Sequence, residues 1–121
     1  MKLENIKGYD KISKYLKESP FIDYTFLKKI NIVTFINYDG TIQKDISIHM
    51  VNELEDLNGL KIMFYDVKKF IYPNGDDLQV LGLDIEEISS WGWEKSHYRA
   101  YNFENDNDFE IICNDLEFDC F

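Results

Sequence analysis

Three features of the sequence predict an α+β domain: a largely antiparallel β-sheet of about five or six strands with a short N-terminal helix packed on it. From Phe26 onward, β-branched and aromatic residues recur in short runs separated by turn-forming residues. A helical period is confined to the segment before Pro20. Strand-like runs mostly follow one another without the helices that parallel crossovers require. At 121 residues the chain fits one globular domain, residues 1–121, long enough to bury a core.

Tyr9, Ile12 and Leu16 lie at helical spacing, with Lys7, Lys11 and Lys14 on another stripe, and Ser19-Pro20 supplies a stop. This predicts a short amphipathic helix near residues 9 to 18, its lysines facing water. Asp39-Gly40 then separates Ile30 to Tyr38 from Thr41 to Val51, a hairpin signal in which Ile42, Ile46, Ile48 and Met50 share one strand face, interrupted by Lys44. Asn52 to Gly59 reads as a connector. Leu60 to Tyr72 reads as a third strand, with Met63, Tyr65, Val67 and Ile71 on one side.

Pro73-Asn74-Gly75-Asp76-Asp77 forces a turn. In the next strand, Leu78 to Ile88, the period of two sends Leu81, Leu83 and Ile85 to one face and Gly82, Asp84 and Glu86 to the other. One sheet face is therefore expected to be acidic. After Ser89-Ser90, Trp93 to Phe103 and Phe109 to Phe118 predict a second hairpin, joined by Glu104-Asn105-Asp106-Asn107-Asp108.

The charge is lopsided. Residues 1 to 72 hold 11 Lys/Arg and 10 Asp/Glu, whereas residues 73 to 121 hold only Lys95 and Arg99 against 13 acids. A net charge of -10 repels phosphate backbones and anionic lipid surfaces, which argues against nucleic acid or membrane as partners and admits a basic protein. The start has no apolar run after Lys2, and no stretch approaches the roughly 20 apolar residues of a membrane helix. A cytoplasmic location is expected. Cys113 and Cys120 are the only cysteines, in a chain apolar enough to need no staple, so reduced thiols are expected.

Catalytic and cofactor motifs find little support. Cys113 or Cys120 with His49 or His97 lacks any local signature of a nucleophile and base. Zinc wants three or four ligands, yet there is no CxxC and only two distant histidines. Asp106, Asp108, Glu110 and Glu117, with Asn114, match the ligand spacing of a calcium loop, but Ile111 stands where its sharp turn requires glycine. Adjacent carboxylates such as Asp76/Asp77 and Glu86/Glu87 point to opposite strand faces and do not converge on one bond. Gly75, Gly82 and Gly92 form no phosphate-binding fingerprint. The expectation is a protein without catalytic residues, metal or cofactor.

What remains is Trp91-Gly92-Trp93-Glu94 with His97, Tyr98 and Arg99, set among acids. Trp, Tyr and Arg are enriched at interface hot spots, although both tryptophans serve equally well as core. With Asp84, Glu86, Glu94, Glu104, Asp106 and Asp108 as a rim, Trp91, Trp93 and Tyr98 would be aromatic anchors in a negative field that speeds capture of a basic partner.

Pro73-Asn74-Gly75-Asp76-Asp77-Leu78-Gln79-Val80, then Trp91-Gly92-Trp93 and Tyr101-Asn102-Phe103-Glu104-Asn105-Asp106, resemble segments of small immunity proteins of bacterial polymorphic toxin systems, over the last two-thirds of the chain. The resemblance implies a small cytoplasmic antidote that binds a cognate toxin and covers or distorts its active site. A nuclease toxin with a basic substrate groove would suit the charge. Two other readings stay open: a small-ligand-binding or enzymatic β-domain using His97, Tyr98 and Arg99 in a pocket between sheet and helix, and an acidic accessory subunit whose binding site is an apolar patch elsewhere. Oligomeric state is left undetermined by the sequence.

Overall fold

The computed structural model describes residues 3–15, 24–72, 79–80, 82–92, 94, 96–104 and 108–121. Six strands form one sheet: β1 (Phe26–Ile36), β2 (Ile42–Val51), β3 (Leu60–Ile71), β4 (Leu83–Glu87), β5 (Tyr98–Asn102) and β6 (Glu110–Cys120). Their order is β1-β2-β3-β6-β5-β4 and every neighbour is antiparallel. Two three-stranded meanders are therefore joined at the middle by β3 and β6, whose ladder runs from Leu60↔Cys120 to Ile71↔Glu110.

The hairpin between β1 and β2 closes on Asp39-Gly40, as the turn chemistry predicts. Gly40 sits at φ +86°, a left-handed conformation that glycine adopts without steric penalty. Asp39 Oδ1 accepts hydrogen bonds from the Thr41 amide at 3.0 Å and its hydroxyl at 2.6 Å. The hairpin between β5 and β6 is also present, while residues 105–107 of its connection lie outside the described residues.

Before β1, the α-helix spans only Tyr9–Ile12 (α1), followed by a 3-10 turn over Ser13–Tyr15; the rest of the predicted helix, 16 to 18, lies outside the described residues. Ile6 and Ile12 enter the core, and the Phe118 amide donates to the Lys7 carbonyl at 2.9 Å, latching this segment to β6.

One core lies on a single side of the sheet. It gathers Leu27, Ile46, Ile48, Met50, Leu60, Ile62, Phe64, Leu83, Ile85, Ala100, Phe109, Ile111, Leu116 and Phe118. The period of two holds for β2 and β4, but β3 breaks it. Leu60, Ile62 and Phe64 face inward, which sends Met63 and Tyr65 to the outer face; Asp66 then takes φ 55° and Val67 turns into the core. The expectation that Met63, Tyr65, Val67 and Ile71 share a side is thus corrected. The Asp66 amide donates to Asp45 Oδ1 at 3.0 Å, and an irregularity between Val67 and Lys69 then shifts the pairing with β6 by one residue.

The sheet coils far enough that the start of β1 meets the segment leading into β4 from the opposite edge. Phe26 forms a bridge with Gln79, and the Val80 amide donates to the Thr25 carbonyl at 2.8 Å. Beyond Leu27, among the described residues, no strand covers the outer edge of β1.

Cys113 and Cys120 are free thiols, the first buried in the core and the second half-buried. Burial, with the charges of Asp115 and Asp66, pushes the Cys113 thiol well above its ordinary pKa and so away from the reactive thiolate. Iodoacetamide is expected to label Cys120 in the native protein and Cys113 more than about 100-fold more slowly. Equal labelling rates, read by peptide mass mapping, would contradict this placement.

Candidate functional site

On the outer face of the sheet, successive strands place four charges side by side. Glu110 on β6 receives Lys69 Nζ from β3 at 2.6 Å and Arg99 Nε from β5 at 2.5 Å; Arg99 also reaches Glu86 on β4 at 3.1 Å. The Arg99 guanidinium stacks 4.0 Å above the Tyr101 ring, and the Tyr101 hydroxyl donates to Asp84 at 3.5 Å. Burial alone would raise the pKa of Glu110, but the hydrogen bonds and charges of Lys69 and Arg99 outweigh it and hold the carboxyl below its usual value.

Asp84 and Glu86 therefore do point away from the core, as the alternation predicts, but they stand in different electrostatic positions. Glu86 is matched by Arg99, whereas Asp84 is exposed. The remaining candidates divide between the two ends of the second meander. Trp91, with 46% of its surface open, lies in a 3-10 turn over Ser89–Trp91 between β4 and β5, with exposed Glu94 in the same connection. Glu104 and Asp108 lie at the other end, between β5 and β6; Asp108 accepts from Asn102 Nδ2 at 3.2 Å, and Glu104 is exposed. The two ends are separated by the five residues of β5, on the order of 15 Å. Trp93 and Asp106 lie outside the described residues.

Tyr98 follows the inward parity of Ala100 and packs against the core margin. With Glu87, Ser89, His97, Asn114 and Asp115 it lines a shallow recess at the end of the sheet. Burial, then the charges of Asp115 and Glu87, raise the Tyr98 pKa. This recess is not the pocket between sheet and helix that a ligand-binding reading expects, and Arg99 is not among its lining residues.

The His97 amide donates to the Cys113 carbonyl at 2.9 Å, yet the His97 side chain is exposed while that of Cys113 is buried. The His97 ring is oriented by Nδ1, which donates to the Asn114 carbonyl at 2.9 Å, while Cys113 belongs to the core. His49 stacks on Phe121 at 4.2 Å between ring centroids, and burial, followed by the charges of Lys61 and Lys29, lowers its pKa. Of the calcium-loop set, Glu110 is held by Lys69 and Arg99, and Glu117 accepts the Tyr65 hydroxyl at 2.9 Å. Among the described residues no group of three or more His, Cys, Asp or Glu gathers as a metal would need. Nor, among them, is any helix long and apolar enough to cross a membrane.

Sequence reasoning missed one surface. The distal half of the hairpin between β1 and β2 projects past the part of β2 that pairs with β3, which spans Ile46 to Met50. Its apolar side chains are consequently open: Ile36 is 73% exposed, Ile42 70%, Ile32 50% and Val33 48%, with Phe35 and Tyr38 exposed beside them. Ile42 shares the strand parity of Ile46, Ile48 and Met50, so alternation alone assigns it to the core. The signal that separates it is Lys44, exposed on the same face between Ile42 and the buried Ile46.

A family model described as Immunity protein PIM8 matches residues 7–119 of the chain. No curated protein and no solved structure matches it.

Proposed function

The chain belongs to the PIM8 immunity protein family, and from that membership we propose that it neutralises a cognate toxin by binding it, without catalysis, in the cytoplasm. The match over residues 7–119 is the observation that carries this reading. The toxin surface it meets is basic, and a nuclease with a phosphate-binding cleft is the activity such a surface fits. Two features support that assignment: the excess of acids in residues 73 to 121, and the exposure of Asp84, Glu94 and Glu104 around the second meander.

Glu86 and Asp108 contribute charge to this field while also serving the fold, Glu86 through Arg99 and Asp108 through Asn102. Tyr98, Trp91 and Trp93 remain the proposed aromatic contacts, with Asp106 on the rim. Since the charged set occupies both ends of β4 and β5, the contact is a broad face spanning the meander rather than a single pocket.

Co-expression with its cognate toxin domain is the primary test: growth should be restored, and the two proteins should form a complex. No rescue and no complex would sink the family-derived reading. The acidic face is tested separately by Asp84→Lys, Glu94→Lys and Glu104→Lys together, which leave the charge ladder intact. Association at low salt should slow about tenfold or more, with dissociation changed less, and the wild-type rate should fall as salt rises. Salt-independent association with an unchanged triple variant would remove the acidic face from the mechanism while leaving toxin binding in place.

A further inference from the structure

The two edges of the sheet are unlike. β4 carries Asp84, Glu86 and Glu87 within five residues, the charged edge that deters pairing with another strand. On β1, the run Ile30-Asn31-Ile32-Val33-Thr34-Phe35-Ile36 has no charge and no proline, and residues 31–36 are all exposed. Such an edge presents unpaired backbone groups and apolar side chains together, which is a template for strand addition.

We propose that β1 pairs antiparallel with β1 of a second copy of this chain, joining two six-stranded sheets edge to edge in a two-fold symmetric dimer. The occupant is a second copy because the edge is complementary to itself. Setting Thr34 opposite Thr34 of the second copy places Ile32 opposite Ile36 and Val33 opposite Phe35, each pair on one face of the joined sheet. Ile42 extends the first patch, since it is the cross-strand neighbour of Ile36 on β2.

Lys28 is engaged within its own chain, where its Nζ donates to the Asp56 carbonyl. In a chain of net charge -10, two copies repel over most of their surface, but residues 24–38 contain no acid and two lysines. This edge is therefore where an acidic protein can meet its own copy, and it leaves the outer face of the second meander available to the toxin.

Sedimentation equilibrium on the full chain from about 1 to about 200 μM should show a mass rising from 14.4 kDa towards twice that value. Ile36→Lys and Val33→Lys, at positions outside the core, should each weaken dimerisation about tenfold or more without lowering the thermal midpoint at concentrations where the chain is monomeric. A chain that stays monomeric throughout overturns the proposal, as does a dimer indifferent to Ile36→Lys and Val33→Lys. A monomer whose Ile36→Lys variant loses toxin binding would assign the edge to the toxin instead.

Discussion

Replacing Glu110 with alanine is expected to lower the unfolding free energy by about 3 kcal/mol, read as a shift in the urea midpoint. The Glu110 side chain is 8% exposed and Arg99 17% exposed, so both charges have left most of their water. Removing the carboxylate leaves the guanidinium and Lys69 facing each other across β6 without their common partner, and only Glu86 still compensates Arg99. Breaking a buried pair is far more damaging than exchanging the whole cluster for apolar groups. Lys69→Met, Arg99→Met and Glu110→Leu together should therefore recover most of the stability that Glu110→Ala loses. A loss below about 0.5 kcal/mol for Glu110→Ala would show that the ladder is a surface ornament of the sheet.

The pH dependence has a defined sign. The folded carboxyl is held below its unfolded value, so its contribution is complete above the unfolded pKa of about 4.3 and is lost as pH falls through the lower folded value. The stability difference between wild type and Glu110→Gln should be constant near neutrality and shrink on acidification below about pH 4. A difference that grows in that window would reverse the assignment.

Gly8→Ala is expected to be comparably severe, at about 3 kcal/mol, for a different reason. Gly8 has φ +86°, and a Cβ there would fall inside the van der Waals envelope of the Phe118 carbonyl oxygen. That oxygen is backbone of β6 and has no rotamer with which to move aside. Relief requires α1 to separate from β6, stretching the hydrogen bond from the Phe118 amide to the Lys7 carbonyl and uncovering Ile6 and Ile12. Gly40 supplies the control, since it has the same φ +86° but nothing within 4 Å of its hypothetical Cβ. Gly40→Ala should cost only the backbone strain and the change in unfolded-state entropy, about 1 kcal/mol. Equal losses at the two positions would eliminate the steric contact as the cause.

The parts of the fold legible in the sequence are those that short-range chemistry decides. Asp39-Gly40 announces its hairpin because positive φ and a side-chain acceptor are properties of two adjacent residues. Leu83, Asp84, Ile85 and Glu86 declare their faces because side chains on a strand alternate strictly. The pairing of β3 with β6 has no such local signature, since the partners are separated by the whole of β4 and β5. The switch at Asp66 has no local signature for the same reason: the acceptor that its amide meets is Asp45, on the neighbouring strand β2.

The same division applies to the surfaces. Composition reveals that the C-terminal half is acidic, and alternation reveals that Asp84 and Glu86 point outward. It does not reveal that Arg99 and Lys69 arrive from neighbouring strands to neutralise part of that face, or that Trp91 and Glu104 lie at opposite ends of it. Ile36 and Ile42 were unreadable as surface, because an apolar residue at the right parity looks the same whether or not anything lies above it.

By itself the sequence determined an antiparallel α+β fold, the Asp39-Gly40 turn, the uneven charge and a resemblance to immunity proteins, because each depends on residue type or on spacing within one segment. Only the tertiary structure decided which strands are neighbours, which carboxylates are matched by cations and which apolar side chains stay uncovered. Those properties depend on distances between residues far apart in the chain, set by packing of the sheet around its core.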